Sequence, residues 1–320
     1  MEIFIPDLKA IRQEDESKKD LIFDLIIIGA GPAGITAAVY AARKRLNFMV
    51  IAKNVGGQVV LTSAVENYTG YQEITGKDLT RKFDEHLKQF KFDFKEAEVK
   101  NLKKERDIFV VESDSESFKS KTLIIATGAR PRLLNIKGEQ DFKNRGVTYC
   151  STCDAPLFAD KDVAVIGAGN SALDAVLQLI NIAGKIYLLI RRDVLRGDKI
   201  MIEKVKASPK VEILFNTTVS EISGDKLVKG LKIDQKGEKK ELAVQGVFIE
   251  IGYIPNTEFL KNFVKLNSAG EIEIDSNNRT SLTGVFAAGD CTNVPYKQII
   301  IAAGEGSKAA ISVFDYLAKR

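Results

Sequence analysis

Apolar residues fall in short, nearly uninterrupted runs, and several of the runs end at glycine. Residues 21–28 (Leu-Ile-Phe-Asp-Leu-Ile-Ile-Ile) carry too little alternation for a strand with one wet face, so they read as a strand buried on both sides. Gly29-Ala30-Gly31-Pro32-Ala33-Gly34 follows, and a helix is expected from Ala33 to about Arg43. The same sequence of signals restarts at residues 162–166, passes through Gly167-Ala168-Gly169-Asn170-Ser171-Ala172, and continues as a helix to about Ile182 and a strand over 185–190. Further strands are expected at 48–52, 94–99, 109–111, 122–126, 211–215, 231–234, 247–251 and 284–288, and a closing helix from about Gln298. Residues 76–92 predict an amphipathic helix with Leu79, Phe83, Leu87 and Phe90 on one stripe. His86 lies beside Phe83 there and reads as structural. Residues 1–20 are a polar extension with weak helical spacing at Ile5, Leu8 and Ile11, and no function is assigned to them.

Strands alternating with helices predict an α/β protein built from two Rossmann-like, three-layer dinucleotide-binding domains. In Gly-x-Gly-x-x-Gly the first glycine makes a tight turn, the second lets backbone approach a pyrophosphate, and the third lets helix pack on strand. Helix N–H groups then face the phosphate charge. Ala172 at the third position of the second motif is compatible with this. Arg130-Pro131-Arg132 reads as a linker out of the first domain, and Gly252-Tyr253-Ile254-Pro255-Asn256 as the return. The expected division is 1–131 with 258–320, a discontinuous first domain, and 132–257 as the second.

The strand over 48–52 ends in Ala52-Lys53, where an acid would hold ribose hydroxyls, so a nucleotide in the first domain needs its ribose held another way. The second domain's corresponding strand ends in Arg191-Arg192, with Arg196 close behind. Guanidinium groups grip phosphate oxygens bidentately, so these arginines favour the 2′-phosphate of NADPH over the hydroxyls of NADH.

Composition narrows the class without changing it. The 320 residues suit two domains, and a net charge of +4, from 47 basic and 43 acidic residues, gives no argument for nucleic acid. The uncharged stretch over 25–42 is long enough to suggest a membrane helix, but its glycines and Pro32 break it into strand, turn and helix, so no membrane partner is expected. Three cysteines make no disulfide scaffold, and the chain is expected in a reducing, cytoplasmic compartment.

Two of the three cysteines form Cys150-Ser151-Thr152-Cys153, followed at once by Asp154. Such a pair closes a reducible disulfide: one thiolate attacks a substrate disulfide and the other resolves the mixed intermediate. Half of a zinc site is the competing reading, but it lacks two ligands, and no metal is expected. Asp154 is the nearest titratable group to Cys153 and is a candidate general acid. Cys291, after Gly289-Asp290, reads as a small buried filler.

Two dinucleotide units with Cys-x-x-Cys-Asp just ahead of the second resemble the low-molecular-weight thioredoxin reductases. The resemblance runs from Asp24 to Leu317 through Gly29–Gly34, Gly57-Gln58, Glu66-Asn67, Ala126-Thr127-Gly128, Cys150–Asp154, Gly167–Ala172, Arg191-Arg192 with Arg196, Gly289-Asp290 and Lys297-Gln298. It implies FAD contacts at Gly29, Gly31, Ala33, Gly57, Gln58, Asn67, Gly128, Gly289, Asp290, Gln298 and Ile299. It implies NADPH contacts at Gly167, Gly169, Asn170, Ser171, Arg191, Arg192 and Arg196. It also implies that Cys153 meets the flavin, that Cys150 attacks the partner disulfide, that Asp154 supplies a proton, and that the second domain rotates about the two crossings. The implied partner is thioredoxin or a thioredoxin-like or glutaredoxin-like protein, and the implied assembly a homodimer. Ile190 departs from the family's histidine before the two arginines, which leaves NADH or reduced ferredoxin as alternative donors. The segment 153–158 also resembles the flavoprotein component of alkyl hydroperoxide reductase, which keeps a peroxiredoxin system in view. A flavin dithiol oxidase is a further rival.

Overall fold

The structure is a computed structural model describing residues 21–62 and 65–320, so the 1–20 extension lies outside the described residues. The chain forms two compact units, Met1–Arg130 with Ile254–Arg320, and Pro131–Tyr253.

The first unit opens with β1 (Ile22–Ala30), α1 (Pro32–Arg43), β2 (Phe48–Val55), α2 (Gly76–Leu87) and β3 (Asp93–Glu96). A meander of β4 (Val99–Glu105), β5 (Ile108–Ser113) and β6 (Ser117–Ile125) follows, then the crossing strand β7 (Ala129–Pro131). The second unit holds β8 (Val147–Thr148), α3 (Ser151–Asp154), β9 (Asp162–Ile166), α4 (Asn170–Leu179), β10 (Lys185–Ile190), α5 (Lys199–Ala207) and β11 (Val211–Phe215). It continues with β12 (Thr217–Gly224), β13 (Val228–Gln235), β14 (Glu238–Ala243) and β15 (Gly246–Ile249), and the return strand β16 (Tyr253–Pro255) passes from the second unit into the first. The tail adds β17 (Val285–Ala287) and α6 (Ile299–Leu317) to the first unit.

In the first unit, β3, β2, β1 and β6 lie side by side in parallel. β6 has a double role. Its first half pairs antiparallel with β5, and its last three residues pair parallel with β17. Side chains alternate across this sheet. Leu25, Ile27, Val50, Ile124 and Phe286 face α1 and α6. Ile26, Ile28, Ile51, Leu123 and Val285 face the other way, toward Leu102, Phe109 and Val111 of the meander. Both faces are therefore dry, which explains the continuous apolar runs. The second unit has a five-stranded parallel sheet, β11-β10-β9-β15-β8, and a separate antiparallel sheet of β12, β13 and β14. This is the expected α/β architecture of two Rossmann-like units.

Several expectations need correction. The second break falls after 253, not 257, because Asn256 already belongs to the first unit: its N–H donates to the Gly128 carbonyl at 3.0 Å and its Nδ2 to that of Thr127 at 2.9 Å. The first falls after 130 rather than 131. α2 stops at Leu87 rather than continuing to Phe92, since the chain must turn into β3; Phe90 and Phe92 leave the helix to pack on the α1 side of the core. His86 is exposed, its ring toward Phe90 rather than Phe83. The strand expected over 94–99 is two strands parted at Ala97-Glu98, and β12, β14 and α5 were not anticipated.

α2 matters to the site because Leu79 packs with Val59 and Val65 beneath the short 3-10 turn Gly57–Leu61. Thr75 caps this helix, accepting from the Asp78 amide at 3.1 Å. Thr75→Ala is expected to lower stability by about 0.5–2 kcal/mol in urea unfolding followed by circular dichroism, and Thr75→Ser to restore most of it.

Candidate functional site

The glycines of the first motif divide into two kinds. A methyl group on Gly29 would lie 2.3 Å from the Ala126 carbonyl oxygen, and one on Gly34 only 1.8 Å from that of Gly29. These two positions hold α1 against β1 and β6. On Gly31 and Gly128 a methyl would meet nothing within 4 Å, so backbone there is open to an approaching group. α1 begins at this opening with no side-chain cap and no acidic residue in its first turn, leaving N–H groups available to an anion.

Every residue expected to hold FAD lies at a carboxyl end of this parallel sheet or in a loop or helix start of the same unit. Gly29, Gly31 and Ala33 sit between β1 and α1, Gly57 and Gln58 just after β2, Gly128 after β6, and Gly289 and Asp290 after β17. Gln298 caps α6 and Ile299 is its first residue. The Asn67 amide donates to Gln298 Oε1 at 3.2 Å, joining two of the expected contacts across 231 residues of sequence. Asp290 is held above the ordinary carboxylate range by burial, partly offset by Lys297. Among the described residues its carboxyl has no hydrogen-bond partner. Ligand hydroxyls would satisfy it. The open turn, the uncapped helix and this acid fit a dinucleotide.

The second unit repeats the logic. A methyl on Gly167 would lie 2.3 Å from the Glu250 carbonyl oxygen and 2.8 Å from Ala172 Cβ, whereas one on Gly169 would meet nothing. Asn170 and Ser171 open α4, also without a side-chain cap. Arg191 and Arg192 directly follow β10. Their loop is tied back to the turn: the Arg196 amide donates to the Ala168 carbonyl at 2.7 Å, and the Asp198 amide to Asn170 Oδ1 at 2.8 Å. The three arginines are exposed and, among the described residues, unpaired.

Cys150 caps the short α3 and Cys153 is its third residue, and the two are joined as a disulfide with Cα atoms 5.3 Å apart. Thr148 Oγ1 accepts from the Cys150 amide at 3.1 Å and donates to Asp154 Oδ2. Among the described residues the other Asp154 oxygen is buried with no partner, and burial raises this carboxyl's pKa against the pull of Thr148. That environment favours the protonated acid.

Five hydrogen bonds around this turn join residues that no sequence pattern links. Glu139, fully buried, accepts from the Leu134 amide at 3.0 Å, the Asn135 amide at 2.7 Å and the Tyr149 hydroxyl at 2.8 Å. The Tyr253 hydroxyl donates to the Tyr149 carbonyl at 2.6 Å. The residue preceding Cys150 is thus fixed by both its ring and its backbone. Glu250 Oε1 accepts from the Ser151 amide at 3.2 Å. Burial raises its carboxyl to about 7, with the Ser151 bonds opposing and Asp174 adding. An acid following Val247-Phe248-Ile249 was the only available sign of it. Cys291 is fully buried against the Ile125 and Ala288 carbonyls.

Two glycine turns of the dinucleotide-binding type and a Cys-x-x-Cys disulfide thus lie on one chain, the pattern of an oxidoreductase. Residues 23–306 match the pyridine nucleotide-disulphide oxidoreductase family, and the chain belongs to that family of flavoproteins. It is 38% identical to a thioredoxin reductase from Streptococcus pyogenes, with a TM-score of 0.88 over 93% of this chain and 99% of that one. A thioredoxin reductase from Giardia duodenalis is 34% identical, with a TM-score of 0.86 over 92% and 99%. Among curated proteins, an NADH dehydrogenase of Bacillus subtilis is 42% identical over 92% of this chain and 58% of its own length. A component of the alkyl hydroperoxide reductase of Pseudomonas aeruginosa is 43% identical over 92% and 58%. The chain therefore spans about three fifths of the length of these curated relatives.

The glycine contrast is testable. Gly31→Ala should keep the fold, with an unfolding midpoint within about 2 °C of wild type for the cofactor-free protein, and bind flavin at least tenfold more weakly. Gly34→Ala should lower stability by more than about 3 kcal/mol, the scale of overpacked backbone. Thermal scans and flavin fluorescence titration read both.

Proposed function

We propose that this chain carries electrons from NADPH, through FAD in the first unit and the Cys150–Cys153 pair, to the disulfide of a separate thioredoxin-like or glutaredoxin-like protein, working as a homodimer. The observation that carries this reading is the Cys150–Cys153 disulfide beside the buried, unpartnered oxygen of Asp154. The pair shares its unit with a second nucleotide turn to which an arginine loop is tied. FAD would be held by Gly29, Gly31, Ala33, Gly57, Gln58, Asn67, Gly128, Gly289, Asp290, Gln298 and Ile299. NADPH would be held by Gly167, Gly169, Asn170, Ser171, Arg191, Arg192 and Arg196. Bound flavin supplies the conversion between a two-electron hydride donor and sulfur chemistry.

The chain's own residues do the rest. In the reduced pair, the Cys150 thiolate attacks the partner's disulfide, breaking that S–S bond and forming a mixed disulfide. Cys153 then attacks the Cys150 sulfur, releasing the partner as a dithiol and restoring the internal disulfide. The two protons of the reduced pair finish on the partner's sulfurs. Asp154, whose pKa burial raises, serves the Cys153 side as general acid. The net change is NADPH, one proton and a disulfide giving NADP⁺ and a dithiol.

A second reading takes NADH as donor and a peroxiredoxin system as recipient. It is favoured by the names of the curated relatives and by Ile190 before the arginines. Anaerobic titration with each nucleotide separates the two. If NADPH is the donor, replacing Arg191 and Arg192 together by alanine should raise the KM for NADPH by the equivalent of ~2–4 kcal/mol and leave NADH nearly unchanged. Equal use of both nucleotides by the wild type would remove the NADPH assignment.

The roles of the sulfurs have their own test. Cys150→Ser should leave a Cys153 thiolate beside oxidised flavin and give a long-wavelength absorbance band that Cys153→Ser lacks. Both variants should still be bleached by NADPH, and neither should turn over a protein disulfide. The opposite pattern of bands would exchange the two assignments.

A further inference from the structure

Glu250 stands where the two functional features of the second unit meet. Its backbone belongs to the nucleotide turn: its amide donates to the Ile166 carbonyl at 2.9 Å, and its own carbonyl is what forbids a side chain on Gly167. Its side chain belongs to the redox turn, since it accepts from the amide of Ser151, the residue directly after Cys150. β8 and β15 create this meeting by pairing Thr148 with Phe248, which brings the ends of both strands together. The carboxyl is buried, and it is not among the residues expected to touch either nucleotide.

Amides in the first turn after a cysteine stabilise its thiolate. Here one of those amides is occupied by a carboxylate. We propose that Glu250 is a positioning residue for the redox turn, and that its charge, engaging the Ser151 amide, restrains ionisation of the Cys150 sulfur. The inference rests on Cys150 and Cys153 being a redox pair. The groups that face Glu250 are few. On α3 the contact is Ser151, while Asp154 is engaged with Thr148. On α4 it is Asp174. The Gly167-Ala168-Gly169 turn and β8 present no charge.

Burial sets the Glu250 carboxyl near 7 in the oxidised protein. Below that pH it is neutral and Cys150 sees no added charge. Above it the carboxylate both holds the amide and repels a thiolate, so the Cys150 thiol ionises at a higher pH than it would alone. Two groups coupled in this way titrate as a pair, in two steps.

The experiment uses the full-length flavin-loaded protein, reduced anaerobically with dithiothreitol and then freed of it. The iodoacetamide alkylation rate of Cys150 is followed from pH 5.5 to 9.5, with Cys150 distinguished from Cys153 by fragment mass. Wild type should show a two-step profile. Glu250→Gln, which keeps the hydrogen-bond acceptor and removes the charge, should show one step. It should react about tenfold faster than wild type near pH 8, one pKa unit of difference, and at the same rate below pH 6. Ser151→Ala, which leaves the amide intact, should keep two steps. A merely structural role for Glu250 would move the rates at every pH. A single-step wild-type profile overturns the proposal whatever the variants do, and so do superimposable wild-type and Glu250→Gln profiles. A separate sample is treated with NADPH alone. If NADPH frees neither thiol, the NADPH-driven reading of the pair fails, while the Glu250 result, read on dithiothreitol-reduced protein, stands or falls by itself.

Discussion

A constraint shared by both units is the close approach of a helix to the strand before it. Gly34 comes so near the Gly29 carbonyl, and Gly167 so near both Ala172 and the Glu250 carbonyl, that a methyl group at either glycine would require the backbone to move. This closeness aims the uncapped starts of α1 and α4 at open backbone beside Gly31 and Gly169. The anion-binding character of the two turns is thus a by-product of packing. The helix must sit there to cover the sheet, and its N–H groups then have no partner of their own.

Around the redox turn the governing physics is burial of acids. Glu139 and Glu250 are buried and Asp154 half-buried within a short stretch of structure, and each is treated differently. Glu139 receives three donors, which is the satisfaction a buried carboxylate needs. Asp154 receives one donor and keeps an oxygen bare, so burial raises its pKa. Glu250 lies between, bonded to Ser151 but opposed by Asp174. One chemical group therefore meets three environments, distinguished by the donors and charges around it.

Much of this was legible in the sequence because it is local. β9 and β10 end where their apolar runs do, since nearly all of those apolar residues are buried, while β11, only half-buried, still reads as a short apolar run. The glycines and the cysteine pair announce themselves by spacing alone. β4 and β14 gave no such sign, because lysines and glutamates cover their exposed sides and β14 buries almost nothing. α5 buries only Val205. The supports of the redox turn were illegible for another reason. Tyr253 reaches Tyr149 across 104 residues and Glu250 reaches Ser151 across 99, and no periodicity encodes such meetings. Charge within an apolar run was the sole trace Glu250 left.

β6 gives its first half to the meander and its last three residues to β17, a strand that arrives 160 residues later, from 125 to 285. Synthesis on the ribosome is directional, so this arrangement imposes an order of birth. By the time Tyr253 is made, every strand of the second unit's two sheets exists, while the first sheet still lacks β17 along the end of β6 and lacks α6 beside α1. The unit that begins the chain is the last to be completed. Until then Leu123, Ile124 and Ile125 present an unpaired, wholly apolar edge, the kind of surface that chaperones and aggregation both exploit.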